Sequence, residues 1–359
     1  MPRTTTGNRL APGWWVGSVV VVTMLLAIGM WATISGSQQE PASIESPAAS
    51  SSAPPSPTLL PAAEPPLGVE DRASLTLPDE VRLAAGTMYL RAGESYLVRF
   101  DLSTVKPRSA PGVGMYLGVS FSCVTADGTG AGSIGGTENL VPGEPVSYRN
   151  TLVLEPRKDG VHRCNVLANA PYDNVGAKDT TVQLDANWRI DRIAKGGAVE
   201  QADADQTLPR LLPADESSVV LEQTVPARPQ GVVTALATVH MTTCTGVNGS
   251  REQGRTWCRT SAIDERGNTV SARLLIDLVD SSGKVCDHLV DETRTVGIDK
   301  WVHHDLLSFD EAAAMPTDPC SPTTRVRIQL TNSGPAGLVV HGKNSSLVAV
   351  STETSLRSL

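Results

Sequence analysis

Residues 300 to 309 read KWVHHDLLSF and place two histidines, His303 and His304, directly before an acid, Asp305. Two imidazoles and a carboxylate are the donors of a metal site or of a general acid–base pair. Geometry limits that chemistry. On a strand, successive side chains point to opposite faces. Alternation then sets Trp301, His303, Leu307 and Phe309 on one side and Val302, His304 and Leu306 on the other. Both imidazoles would reach one metal only through a bulge. Neither side is plainly polar, so one histidine is expected to be partly buried and hydrogen-bonded as an ordinary strand residue. The competing reading is a site using one histidine with Asp305, or with Asp287, His288 and Asp291. His303, His304 and Asp305 are therefore the functional candidates; no catalytic, cofactor-binding or metal-ligating residue is assigned, and no cofactor is expected.

Other patterns with chemical meaning are thinner. GAGSIG, residues 130–135, matches GxGxxG, but Pro142, Gly143 and Pro145 follow where a phosphate-binding helix has to run, so a flexible hairpin loop is expected. CDHLVDE, residues 286–292, gathers three carboxylates and a histidine; without calcium-loop spacing, these read as solvated acids more than a weak Ca²⁺ loop. His162 shares a face with Cys164 and His240 with Cys244, and both read as neighbours of a disulfide. GxSxG, HExxH and EF-hand patterns are absent from the sequence. Paired carboxylates of the glycosidase kind come from separate strands and leave no local signature, so an envelope hydrolase stays open as an alternative.

The elements that hold these residues are strands. Hydrophobic residues make up 40% of the 359, enough for a core, while aromatics are 4%, so that core is aliphatic. There are 31 glycines and 25 prolines, which favours turn-rich β structure. In GMYLGVSFSCV, residues 114–124, Met115, Leu117, Val119, Phe121 and Cys123 fall on one face. TVQLDANW, residues 181–188, buries Val182, Leu184, Ala186 and Trp188. TRVRIQLT, residues 324–331, buries Val326, Ile328 and Leu330. Further strands are expected at 95–103, 149–155, 161–168, 217–225, 232–243, 270–279 and 346–351, with turns at 126–130, 264–268, 280–284 and 332–335. Only FDEAAAM, residues 309–315, reads as a short helix. The expectation is an all-β fold of two tandem antiparallel β-sandwich-like domains, 69–205 and 206–359, divided at the acidic, turn-rich stretch 196–216.

Before them lies GWWVGSVVVVTMLLAIGMWATI, residues 13–34, without a charge. As a helix it spans about 33 Å, close to the ~30 Å hydrocarbon thickness. Trp14, Trp15 and Trp31 near its ends suit the membrane interface. Arg3 and Arg9 precede it, whereas Glu40 and Glu45 are the first charges after it. The positive-inside rule sets residues 1–12 in the cytoplasm and the bulk outside the plasma membrane. Taking Arg3 and Arg9 from the −8 total leaves −10 on the outer part. No Lys/Arg cluster tracks phosphates, so nucleic acid is not an expected partner. The competing reading is a cleaved signal peptide near Ser35-Gly36-Ser37, which yields a secreted soluble protein. Residues 35–68, with eight prolines from Pro41 to Pro66, form a disordered linker that extends at ~3.1 Å per residue.

All six cysteines, Cys123, Cys164, Cys244, Cys258, Cys286 and Cys320, lie past the apolar segment, as disulfides in an oxidising compartment do. Self-contained domains require Cys123–Cys164. The other four allow three pairings; Cys244–Cys258 with Cys286–Cys320 is favoured, and the nested Cys244–Cys320 with Cys258–Cys286 is close behind. The run of VHMTTC, VCDHLVD, KWVHHDLLSF and DPCSPTTRVRIQLTNSGPAGLVVHGKNSSLVAV, about residues 235–350, resembles β-rich modules of exported and membrane-anchored actinobacterial proteins. The resemblance implies location and fold and carries no activity or catalytic residue. The sequence thus points to a membrane-anchored extracytoplasmic protein, a binding or structural module of the cell envelope. Its partners are the lipid bilayer, through the N-terminal helix, and cell-wall glycan or another envelope protein.

Overall fold

Period-two sequence patterns become paired strands in the computed structural model, which describes residues 64–76, 79–105, 115–140, 143, 145–169, 181–193, 197–202, 208, 210–245, 258, 261–300, 302, 304–342 and 345–353. The apolar stretch 13–34 with Trp14, Trp15 and Trp31, most of the linker 35–68, and Trp301 and His303 lie outside these residues. Among the described residues no helix is long and apolar enough to cross a membrane, and every sheet is antiparallel.

The first eight strands are β1 (Leu67–Thr76), β2 (Glu80–Leu90), β3 (Tyr96–Val105), β4 (Met115–Thr125), β5 (Gly130–Leu140), β6 (Pro145–Leu154), β7 (Gly160–Asn169) and β8 (Thr181–Arg192). They form two four-stranded sheets, ordered β1-β8-β3-β6 and β2-β7-β4-β5. That order is a jelly roll, in which the chain crosses between sheets at nearly every connection. Leu117, Val119, Phe121 and Cys123 of β4 face Val182, Leu184, Ala186 and Trp188 of β8 across one buried core. Trp188 is the keystone. Its indole Nε1 donates to Ala84 O at 2.5 Å and its ring meets Phe121 edge-on at 5.7 Å. Ala84 sits at φ 51° in a bulge of β2, its N–H held by Asp71 Oδ2 at 2.8 Å. Gly86 follows because a Cβ there would stand 2.6 Å from the Trp188 ring.

The remaining strands are β9 (Ala198–Gln201), β10 (Arg210–Leu212), β11 (Ser217–Pro226), β12 (Val232–Thr243), β13 (Asn268–Val279), β14 (Val285–Ile298), β15 (His304–Ala314), β16 (Thr323–Ser333), β17 (Leu338–Val340) and β18 (Ser346–Thr352). One sheet runs β11-β16-β13-β14; the other runs β10-β17-β12-β18-β9, with β15 also on β12. The order β11-β16-β13-β14 repeats β1-β8-β3-β6, and the β12–β15 pair repeats β2–β7. What the second half lacks, among the described residues, is a counterpart of the β4–β5 hairpin. A tight turn joins β13 to β14 directly, closed by Asp280 Oδ1 accepting from the N–H groups of Ser282 and Lys284. The two closing segments singled out by sequence, 181–188 and 324–331, occupy equivalent places as β8 and β16.

Three disulfides form: Cys123–Cys164, Cys244–Cys258 and Cys286–Cys320. The first joins register partners on adjacent strands β4 and β7, with Cα atoms 4.1 Å apart, and is fully buried.

Two local expectations are overturned. FDEAAAM is not a helix: residues 304–314 pair along the whole of β12, with Phe309 opposite Ala237 and Ala312–Ala314 opposite Thr234–Val232. Burial on both faces outweighs alanine's helix preference. GAGSIG is not a loop: it opens β5, and the turn lies just before it at Asp127–Gly128. Its glycines make room, since a Cβ on Gly132 would meet Leu154 at 2.7 Å and one on Gly135 would meet Val119 O at 2.7 Å.

Residues 59–359 are one compact unit. The sandwiches are joined where the outer face of β12, β18 and β15 lies against β5 and β6. This explains why β12 is buried nearly from end to end. Val233, Ala235, Ala237, Val239 and Met241 fill the second core. The alternate residues Thr234, Leu236, Thr238, His240 and Thr242 are buried by the first sandwich instead.

Candidate functional site

The chemically able side chains converge on this seam. Part of it is apolar: Leu97 and Ile193 of the first sandwich meet Leu236, Val348 and Val350 of the second. The rest is polar. The hydroxyls of Thr238 and Ser308 both donate to Arg149 O at 3.2 Å. Ser346 Oγ donates to Asn150 Oδ1 at 2.9 Å, and Asn150 Nδ2 in turn donates to the Tyr148 hydroxyl at 3.2 Å. Such a seam fixes one mutual register, because each polar group has to find its mate on the other side.

Three imidazoles lie at one end. His240 comes from β12, His304 from the start of β15, and His341 follows β17. Their ring centroids are 4.7 Å (His240–His341), 5.4 Å (His240–His304) and 6.3 Å (His304–His341) apart. Thr242 Oγ1 stands 2.7 Å from both His304 Nδ1 and His341 Nε2. A hydroxyl has one proton, so at least one of those ring nitrogens donates to it. Burial holds His240 well below the usual imidazole range, and the neighbouring His341 pushes the same way.

Beside them are two acids from different sandwiches. Glu138, on β5, is 6% exposed; burial raises its carboxyl well above the ordinary range, Asp305 adds to the rise, and the Leu306 N–H opposes it. Asp305, on β15, is pushed up to about 6 by burial, with the same N–H opposing. The backbone explains the meeting. β15 is an edge strand, and its outward N–H groups at 304 and 306 need acceptors. Asn139 Oδ1 takes the first at 2.7 Å, which sets the preceding residue of β5, Glu138, beside this end of β15. Tyr148, fully buried, is raised by burial with Glu138 contributing.

Of the sequence candidates, His304 faces the seam and Asp305 the inner side, so strand alternation parts them; His303 lies outside the described residues. The acids of 286–292 are elsewhere and on a strand, β14, not in a loop. His288 Nδ1 lies 2.7 Å from Asp277, a fully buried carboxylate that also receives Arg327 Nη2 at 2.6 Å, and Asp291 pairs with Arg273 Nε at 2.6 Å. His162 is buried on the Cys164 face. Among the described residues no group of three or more His, Cys, Asp and Glu side chains is arranged to hold a metal ion. Glu138, Asn139, His240 and His341 went unrecognised as seam residues, because they meet across long sequence distances; only the polar alternation THT at 238, 240 and 242, inside an otherwise apolar strand, hinted at a second buried face.

On the outside, a trough of about 270 Å³ crosses β7, β4 and β5, floored by Gly118, Ser120, Thr137, Leu167 and Asn169. A second cavity of about 410 Å³ lies over β1 and β8 between Glu70, Arg72, Asp185 and Asn187.

Fold and seam define an all-β protein of antiparallel sheets, cross-linked by three disulfides, with a buried acid–histidine seam. No protein family matches the chain, and no curated protein matches it. Solved structures do match at low similarity. One is infectious bursal disease virus, Gt strain, at 12% identity and TM-score 0.27, covering 83% of this chain and 73% of that one. Another is the CBM22-1-CBM22-2 tandem domain from Paenibacillus barcinonensis Xyn10C, at 6% identity and TM-score 0.23, covering 80% and 92%. A third is the PBSX exported protein XepA, at 8% identity and TM-score 0.21, covering 80% and 86%. At such scores the likenesses carry nothing about activity, and the jelly-roll order stands on the strand pairing alone.

Proposed function

We propose that this chain is a single-pass membrane protein whose paired sandwiches stand outside the plasma membrane as a binding or structural module of the cell envelope. The observation that carries the reading is the set of three disulfides, which belong to an oxidising compartment. The uncharged residues 13–34, with arginines only on their N-terminal side, support an anchor with the cytoplasm at that end. The proline-rich stretch from Pro41 to Pro66 then holds the sandwiches away from the lipid surface.

Outward faces suit binding more than turnover. The trough over β4 offers hydroxyl and amide groups from Ser120, Thr137 and Asn169 on a floor opened by Gly118, a lining that hydrogen-bonds the hydroxyls of a wall glycan. One observation favours a hydrolase instead, the Glu138–Asp305 pair with its raised carboxyls. Glu138, however, is turned into the buried seam, where a polymer has no approach. Co-sedimentation of the detergent-solubilised full chain with purified wall glycan tests the reading. Retention that Asn169→Ala and Thr137→Val weaken supports it. Failure to sediment, or release of reducing sugar from the glycan, contradicts it.

A further inference from the structure

We propose that Cys286–Cys320 is a thiol-exchange site, at which the dithiol of a folded partner protein reduces the second sandwich without unfolding it, while the other two disulfides stay closed. Burial separates the three bonds. Cys123, Cys164 and Cys244 are fully buried and Cys258 is 3% exposed, so no thiolate reaches their sulfurs while the cores stay packed. Cys286 and Cys320 are both exposed. Exchange needs direct approach of a thiolate to a sulfur, and exposed bonds are the ones that permit it.

The local backbone adds to this access. β14 is the terminal strand of its sheet. Leu278 pairs with Asp287 and Val279 with Val285, so Cys286 is the extra residue of a bulge, with no opposite number on β13. A shift of this cysteine leaves the flanking pairs in place. Cys320 lies in the connection between β15 and β16, outside any strand. A folded dithiol protein can draw alongside a terminal strand and a connecting segment, but not the middle of a sheet.

Noncovalent bonds hold this corner on both sides of each cysteine. The connection starts with Met315 N–H donating to Gly231 O at 2.8 Å and Gln230 N–H donating to Pro316 O at 3.2 Å. It ends with Ala227 N–H donating to Pro322 O at 2.8 Å and Ser321 Oγ donating to Val279 O. The entry to β14 is fixed by its turn, where Asp280 N–H donates to Lys284 O at 2.9 Å and Arg325 Nη1 to Gly283 O at 3.3 Å. These bonds survive cleavage of the disulfide. Cys123–Cys164, by contrast, is packed inside the first core.

The exchange balances. One thiolate of the dithiol attacks a sulfur of the pair, the S–S bond breaks, and the departing thiolate takes a proton from water. The second thiol of the dithiol gives up its proton and attacks the mixed disulfide. That releases the other cysteine, which is protonated in turn. Two electrons and two protons pass to Cys286 and Cys320, and the dithiol is left as a disulfide. In an oxidising envelope the resting form is the closed pair, so the site responds only where a dithiol is supplied.

Reduced thioredoxin, a protein dithiol, is the probe. It is mixed with the full chain in detergent at neutral pH, the freed thiols are alkylated and mapped by peptide mass spectrometry, and circular dichroism is followed in parallel. The expected result is one thioredoxin oxidised per chain, label on Cys286 and Cys320 alone, and unchanged dichroism. Thioredoxin left reduced, comparable label on any other cysteine, or dichroism lost as label appears overturns the proposal. The double variant Cys286→Ala, Cys320→Ala is expected to fold and to consume no thioredoxin. Its failure to fold, or continued consumption, overturns the proposal equally.

Discussion

Replacing Asp305 by Asn tests the electrostatics of the seam without changing its shape. The Asp305 carboxyl is raised from an ordinary 3.8 to about 6, chiefly by burial. At about 1.4 kcal/mol per pH unit, that interval corresponds to about 3 kcal/mol against the ionised, folded form. Asp305 keeps some contact with water, which screens part of this, so about 1–2 kcal/mol is the expected effect. The sign follows from linkage. The folded carboxyl holds its proton more tightly than the unfolded one, so its contribution is complete below about pH 4 and is lost as pH rises through 6. Asn cannot ionise and has nearly the same shape. Asp305→Asn is therefore expected to match the native chain at pH 4 and to exceed it by about 1–2 kcal/mol at pH 7.5, with the gap opening between pH 4 and 6. Urea unfolding followed by circular dichroism at four or five pH values gives the comparison. A variant no more stable at pH 7.5, or one whose advantage is already present at pH 4, refutes the reasoning.

Other perturbations have equally definite outcomes. Gly86→Ala drives a methyl group to within 2.6 Å of the Trp188 ring, which cannot retreat because its Nε1 is bonded to Ala84 O, and is expected to cost about 2–3 kcal/mol in the same urea assay. Asn139→Ala strands the buried N–H of His304 and should cost about 1–3 kcal/mol, with faster exchange of that amide as its signature. Replacing Cys123 and Cys164 together by alanine opens a closure spanning 41 positions and should lower stability by about 2–4 kcal/mol, read from the shift in unfolding midpoint. Replacing His303 and His304 by Gln should leave bound metal unchanged by elemental analysis; loss of a stoichiometric metal would reverse the structural reading of His304.

Much of the scaffold could be read from the chain because strand faces alternate. Val182, Leu184, Ala186 and Trp188 announce a half-buried strand by period alone, and so do Val326, Ile328 and Leu330. Where both faces are buried, that signal disappears. Residues 309–315 looked helical because Ala312–Ala314 favour helix, yet Leu306 packs on the first core while Leu307 and Phe309 pack on the second. Residues 130–135 read as a loop because Pro142, Gly143 and Pro145 follow where a helix has to run, although the space that Gly132 and Gly135 leave is taken by Leu154 and by Val119 O. The seam was the least legible part. Asn139 and His304 are separated by 165 positions, and no local pattern foretells that an edge strand in one half will cap an edge strand in the other.

Alkylation of living cells with a thiol reagent, followed by recovery of the chain from carbonate-washed membranes, tests the placement most directly. The intact chain should pellet with the membranes, and its six cysteines should stay unlabelled until a reductant is added. Recovery in the culture medium with the apolar N-terminus missing, or cysteines that react before reduction, would contradict it.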